Sequence, residues 1–155
     1  MVRGDYRIFG VHAKNTWAVD KLLTYSPEEI HGDPRKSYWL APDKKSSAEF
    51  VLDLGCKRKL NMVELVNTHN GFARDRSMKE FKVFLSSDSS NGPWLPVVHK
   101  TLKDSRKQTD PLPAQTFPFT LITAKFVKFQ QISYYGKGGG LQYFRTTFQG
   151  ISDYR

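Results

Sequence analysis

Glu49-Phe50-Val51-Leu52-Asp53-Leu54-Gly55, followed closely by Leu60-Asn61-Met62-Val63-Glu64-Leu65-Val66, decides the fold class. In the first stretch Phe50, Leu52 and Leu54 recur at every second position, which places them on one face of an extended chain. Gly55 ends that run. The second stretch is apolar on both faces, as a strand enclosed between two layers is. Val, Leu and Phe at period two predict strands, not an amphipathic helix.

The same signal recurs on either side. Residues 79–87 alternate, with Phe81, Val83 and Leu85 facing one way and Glu80, Lys82 and Phe84 mostly the other. Residues 125–132 and 141–148 look similar, and residues 6–11 predict an opening strand. Turn-forming clusters punctuate these runs: Gly32-Asp33-Pro34, Asn70-Gly71, Asn91-Gly92-Pro93, Asp110-Pro111 with Pro113, and Gly138-Gly139-Gly140. The one helical stretch lies within residues 17–30, where Ser26, Pro27 and Glu29 form a capping box for a short turn. Many short strands with regular turns predict an all-β sandwich or jelly roll. No repeat, heptad or linker divides residues 1–155, so a single domain is expected.

The 155 residues are 39% hydrophobic and 25% charged, a globular balance, and 14% aromatic, which suits pleated faces. Lys and Arg number 24 against 15 Asp and Glu, a formal charge of +9. Such a charge favours anionic partners in general, acidic lipid and nucleic acid included. Here the cations are spread along the chain, with only short clusters such as Lys57-Arg58-Lys59, which favours a solvated basic surface and argues against nucleic acid. No stretch approaches the roughly 20 apolar residues of a membrane span. Cys56 is the single cysteine, no Asn-X-Ser/Thr sequon occurs, and the first residues do not resemble a signal peptide. Together these predict a reducing, cytoplasmic setting, unless the sequence is a piece of a larger extracellular protein.

No catalytic constellation assembles. His12, His31, His69 and His99 are scattered, and no His-Glu-x-x-His, Gly-x-Ser-x-Gly or phosphate-binding loop is present. Cys56, beside Gly55 at the end of an apolar strand, reads as a structural thiol. A binding protein is expected, not an enzyme.

Two loops carry recognition chemistry. Residues 67–77 join two apolar strands, so the backbone is anchored while the tip faces water. Asn67, His69, Asn70, Arg74 and Arg76 supply donors and acceptors for vicinal hydroxyls, and Phe72 supplies a face for a sugar ring to stack on. A structural hairpin explains the same residues, with Asn70-Gly71 as turn former and Arg76 paired to Asp75 or to a carboxylate on a neighbouring strand. Arg76 is the more structural of the two arginines on this reading, with Arg74 and His69 the ligand contacts. The second loop, residues 134–144, combines three glycines, which permit close backbone approach, with tyrosines. Tyr135 and Lys137 are its candidate contacts, while Tyr143 and Phe144 are read as core. Trp39, near the Gly32-Asp33 turn, is a candidate ligand contact but reads more as a core plug beneath the loops than as a ligand platform, and Trp94 is read as core.

From residue 26 to residue 148 the order of these pieces resembles the discoidin (coagulation factor 5/8 type C) branch of the galactose-binding-like fold. The resemblance is carried by Tyr38-Trp39, by Phe50 through Gly55, by Phe81-Lys82-Val83-Phe84-Leu85-Ser86-Ser87, by Gly92-Pro93-Trp94, and by Ala124 through Phe129. It implies a jelly-roll β-sandwich of about eight antiparallel strands whose end loops bind sugars, lipid headgroups or proteins. It also implies a structural Ca²⁺ held by an Asp-Gly-Asp turn and a late Glu. Of that set the chain keeps Asp33, in His31-Gly32-Asp33, and carries Arg145 near the place of the late Glu. The end-to-end disulfide of extracellular members is missing.

On this resemblance residues 26–42, 67–77 and 134–141 should meet at one end, in a shallow site rimmed by Lys36, Arg74 and Lys137. The function expected is a lectin-like or cell-adhesion module that binds a glycan. The alternatives are an intracellular module of the same fold that binds an acidic protein partner, and binding of anionic lipid or nucleic acid through basic surface.

Overall fold

The computed structural model describes residues 2–5, 10–14, 39–41, 48–109 and 112–150, of which 2–5, 10–14 and 148–150 are described by their backbone alone. Among these lie ten strands: β1 (Val2–Asp5), β2 (Gly10–Lys14), β3 (Trp39–Leu40), β4 (Ala48–Asn67), β5 (Arg76–Met78), β6 (Glu80–Ser86), β7 (Leu95–Thr101), β8 (Ala114–Gln131), β9 (Tyr134–Gly136) and β10 (Gly140–Gly150). The one helical element among the described residues is the 3-10 turn Gly71–Ala73. The predicted helical turn at Ser26–Glu29 lies outside them.

All the ladders between these strands are antiparallel. Eight strands connect in the order β1-β10-β4-β8-β6-β7, with β2 on β4 and β3 on β10, and β5 pairs β9 in a separate ribbon. The two long strands each serve two layers. The first part of β4 pairs β2 and the last part of β8, through Phe50↔Phe129 and Leu52↔Val127. Its last part pairs β10 and the first part of β8, through Leu65↔Phe144 and Val63↔Phe117. Between the two the register slips from Asp53↔Phe126 to Arg58↔Ala124. Gly55 takes the bend at φ 84°, its amide bonded to the Asp53 carboxylate at 2.8 Å. Irregularities of this kind are how one strand passes from one sheet to the facing one. The sequence boundary at Gly55 is therefore a corner within a continuing strand.

The core lies between the layers. Phe144 of β10 meets Phe50 and Phe129 of the other layer edge-on, at 5.5 and 5.6 Å. Phe50 and Phe129 stack at 5.2 Å, and Trp39 sits edge-on to both, at 5.2 and 5.9 Å. Phe81 stacks on Phe129 at 5.5 Å and touches Phe117 at 5.1 Å. Trp39, Phe50, Phe81 and Phe129 are wholly buried, and each contributes about 1.5–3 kcal/mol by leaving water. The alternation of Phe81, Val83 and Leu85 is buried as predicted, and Phe144 joins the main cluster, while Tyr143 packs with Val66 and Leu112 in a smaller one.

Several strands differ from expectation. Of the opening strand expected over residues 6–11, Gly10 and Val11 lie in β2 and residues 6–9 lie outside the described residues; β1 and β2 pair different strands, β10 and β4. β7 was not foreseen, because on this strand only Val98 is buried and an outermost strand carries no two-sided pattern; it also tolerates Pro96. The first half of β8 was missed likewise, since only half-buried side chains such as Phe117 and Phe119 mark its inner face and Pro118 interrupts it.

Candidate functional site

Three loops and a short strand meet at one end of the sandwich. β4 delivers Asn67 there, β6 begins there, and Ala114 at the start of β8 pairs Val66. β5 and β9 tie residues 67–77 to residues 134–140, through Arg76↔Gly136, Ser77↔Tyr135 and Met78↔Tyr134. The amide of Lys137 donates to the Asp75 carbonyl at 2.8 Å, and that of Ser77 to the Gly138 carbonyl at 3.1 Å. On the far side of the glycine run, the Ala41 amide donates to the Gly139 carbonyl at 3.0 Å, and β3 pairs Leu141 and Gly140. The three segments expected to gather are thus in contact as far as they are described. Lys36 and Asp33 lie outside the described residues.

Glycine is required at this crossing by close packing. A Cβ on Gly140 would stand 2.4 Å from the Trp39 carbonyl oxygen, and one on Gly136, at φ 76°, 2.4 Å from that of Asp75. Both contacts are far inside van der Waals distance.

The loop after β4 is held by its first residue. Asn67 Nδ2 donates to Ser77 Oγ at 3.0 Å and to the carbonyls of Met78 at 2.9 Å and Lys103 at 3.1 Å. Its Oδ1 accepts the amides of Thr68 and Met78, both at 2.9 Å. Beyond it Asn70 is left-handed, at φ 63°, and starts the 3-10 turn. Asn70 Nδ2 donates to Asp75 Oδ1 at 3.0 Å. Arg76 is buried, and its Nη1 donates to the Ala41 carbonyl. Arg74 also has positive φ, and its Nη1 donates to the carbonyls of Arg106 at 3.1 Å and Gln108 at 2.9 Å.

That contact reveals a participant the sequence reading missed, the loop after β7. Ser105 is wholly buried; its amide donates to Ser77 Oγ at 3.0 Å and its Oγ to the Thr68 carbonyl at 2.8 Å. Arg106 grips Asp104 through Nε at 3.0 Å and Nη2 at 2.7 Å. These hydrogen bonds from Arg106 hold the Asp104 carboxyl below its ordinary pKa, and Asp104 in turn raises that of Arg106. Tyr135 lies between this loop and β6: its hydroxyl donates to the Leu102 carbonyl at 3.3 Å, with Lys79 Nζ at 5.4 Å and Arg106 Cζ at 5.9 Å from its ring. The polar run Lys103-Asp104-Ser105 was the available signal, but without β7 it had no anchor.

The predicted contact residues divide by exposure. Trp39, Asn67, His69 and Arg76 are buried to within 4% and face the interior. Asn70 and Tyr135 are half-buried, Arg74 and Lys137 are exposed, and Phe72 is 85% exposed. Phe72 thus projects from a turn fixed on both sides. Among the described residues no group of three or more His, Cys, Asp or Glu could hold a metal. Arg145, in the place expected for a late Glu, pairs Glu64 across β4 and β10 at 3.1 Å.

The opposite end holds a cleft of about 340 Å³ between the Leu85–Asp88 and Pro93–Leu95 segments and residues 122–124. β6 separates it from the loops above by about 20 Å, the six steps of about 3.3 Å between its first and last residues. Trp94, read as core, is instead half-buried on its wall with Lys128 Nζ 4.8 Å from the ring, because the hairpin carries it past the end of the sandwich. Cys56, expected to be a structural thiol, is exposed at the β4 corner.

The family model described as F5/8 type C domain matches residues 13–144. No curated protein sequence matches the chain. Among solved structures, the family 32 carbohydrate-binding module of C. perfringens NanJ, in complex with galactose, superposes with a TM-score of 0.72 at 11% identity, covering 95% of this chain and 100% of that one. The CBM32 of AlyQ in complex with 4,5-unsaturated mannuronic acid gives 0.65 at 21% identity, covering 95% and 99%. Chitosan-binding module 2 of a Paenibacillus sp. IK-5 chitosanase/glucanase, in complex with chitotriose, gives 0.64 at 17%, covering 88% and 94%.

Proposed function

Because the chain belongs to the F5/8 type C domain family, we propose that it is a non-catalytic carbohydrate-binding module whose ligand sits on the loops gathered beside β5 and β9. The observation that carries this reading is Phe72, an aromatic ring 85% exposed on a turn whose flanks are fixed by hydrogen bonds. An aromatic side chain on an anchored turn has only two torsions left to fix, so it costs little entropy when it stacks on the apolar face of a sugar. Asn70 and Arg74 on the same turn, and Tyr135 and Lys137 on the segment paired to β5, add groups that bond hydroxyls. The buried set, Asn67, His69, Arg76 and Trp39, acts on this reading by positioning the loops.

A non-catalytic role accords with how the local hydroxyls are used. Ser77 and Ser105 are wholly buried and bonded to one another at 3.0 Å, so neither is presented to a substrate. The structures superposed on the chain are of carbohydrate-binding modules, a non-catalytic domain type that in some proteins is joined to an enzyme.

The test is a titration of the ¹⁵N-labelled chain with galactose, chitotriose and a mannuronate oligosaccharide. Shift changes confined to residues 68–77, 103–108 and 134–140 at millimolar ligand are expected. No change with any sugar, or changes clustered at the Trp94 cleft, would remove the proposal. An acidic protein is the alternative occupant of the same basic rim; a stoichiometric partner released by Arg74→Glu, with no sugar response, would favour it.

A further inference from the structure

We infer that the glycan taken by this site carries a carboxylate, so that the module prefers uronate-bearing saccharides to neutral ones; the inference rests on the carbohydrate-binding reading above. The argument begins with Arg74. Its Nη1 is occupied by two backbone carbonyls of the neighbouring loop, at 3.1 and 2.9 Å. Nε and Nη2, whose N–H bonds point to the same side of the planar guanidinium, make no hydrogen bond among the described residues. That edge is the fork that matches two carboxylate oxygens, and the carbonyls on Nη1 fix its orientation before any ligand arrives. Phe72, two positions away across the same turn, offers the face for the ring bearing that carboxylate.

The surrounding charge acts in the same direction. Lys79 and Lys137 are exposed and form no ion pair among the described residues. Of the two carboxylates nearby, Asp104 is paired with Arg106, while Asp75, bonded to the neutral Asn70 amide, keeps its charge and is outnumbered by the cations. Arg74, Lys79 and Lys137 therefore leave an excess of positive charge at this end. An amino sugar bearing a positive charge would meet repulsion there, and a neutral sugar would leave the Arg74 fork without an anion.

The experiment is calorimetry or NMR titration of the full chain with a hexuronate trisaccharide and with the same trisaccharide after its carboxyls are reduced to primary alcohols. The uronate form should bind about tenfold tighter at low salt, the scale of one charge-assisted bidentate contact. The ratio should shrink as salt rises from about 20 to about 200 mM, since the contact is exposed. Arg74→Gln should bring the two ligands level. Arg74→Lys should recover less than half of the preference, in free-energy terms, because charge without the planar fork is the weaker recogniser. The double variant Lys57→Gln/Lys59→Gln, at the far corner of β4, should leave the ratio unchanged.

Equal binding of both trisaccharides overturns this inference and leaves the carbohydrate-binding reading standing. Binding of neither overturns the inference too, and the titration with galactose and chitotriose then decides whether the carbohydrate-binding reading stands. A preference that survives Arg74→Gln, or vanishes in the Lys57/Lys59 variant, assigns the selectivity to overall charge and overturns the fork. A sulfated neutral trisaccharide binding tighter than the uronate overturns the carboxylate assignment.

Discussion

Asn67 Nδ2 lies 3.0 Å from Ser77 Oγ, ten residues away, and so closes the base of the loop that carries Phe72 and Arg74. With its further bonds to Met78, Thr68 and Lys103, this one buried amide joins the end of β4 to β5 and to the loop after β7.

Asn67→Ala should therefore destabilise the fold by about 2–4 kcal/mol, since it strands several buried partners at once. Urea unfolding should show a lower midpoint at unchanged slope. Asn67→Asp keeps one acceptor but aims a second carboxylate oxygen at the Met78 and Lys103 carbonyls. Its pKa should rise on folding, so this variant should be least stable at neutral pH and regain stability as pH falls through the raised pKa.

The glycines of the crossing should rank by what a Cβ meets. Gly136→Ala and Gly140→Ala press on backbone oxygens at 2.4 Å, and Gly136 has positive φ as well. Each should cost about 2–3 kcal/mol. Gly139→Ala meets the Gln131 side-chain oxygen, which can turn aside, and should cost about 1 kcal/mol. Thermal unfolding of the three variants checks the order; Gly139→Ala as the most damaging would contradict it.

Phe72→Ala should leave stability within about 0.5 kcal/mol, as an exposed position. Glycan affinity should fall by about fivefold or more, the loss of one stacking contact. Parallel calorimetric titration and urea unfolding separate the two effects.

The Asp104 carboxyl should titrate below the 3.8 of a free aspartate, because Arg106 hydrogen bonds favour its charged form. A group whose pKa is lowered on folding stabilises above its unfolded pKa, and that stabilisation is lost as pH falls through the folded value. Side-chain carboxyl NMR should therefore place the Asp104 midpoint below 3.8, and Arg106→Ala should move it upward. An unmoved midpoint would show that Arg106 is not the cause.

Glu64 and Arg145 form an ion pair whose side chains are only 14% and 12% exposed. Replacing either alone with Ala should cost about 1–3 kcal/mol, by removing one partner from a charge that is largely shielded from water. Glu64→Leu with Arg145→Met should cost markedly less than the sum of the single losses, and a double-mutant cycle measures the difference.

The sandwich was legible in the sequence wherever burial is one-sided or complete. Phe50, Leu52, Phe81, Val83 and Leu85 announce their strands because period two is a local property of an extended backbone. β7 and the first half of β8 were illegible because their inner faces are only partly covered, which blurs the alternation. The candidate loops were legible by composition, as polar, glycine-rich connections between apolar runs. Their division of labour was not, since Asn67 and Arg74 look equally suited to a ligand until one is seen buried and the other exposed.

From the sequence alone came the all-β class, the core side of two strands and the loops rich in recognition chemistry, all written in neighbouring residues. Tertiary structure alone decided which groups meet. The Ser105 hydroxyl reaches the Thr68 carbonyl across 37 residues, Arg76 finds Ala41 across 35, and Arg74 is steadied by a loop that no local pattern marked. The physical reason is that a hydrogen bond depends on where two chain segments are brought together in space, and that is set by the packing of the whole sandwich.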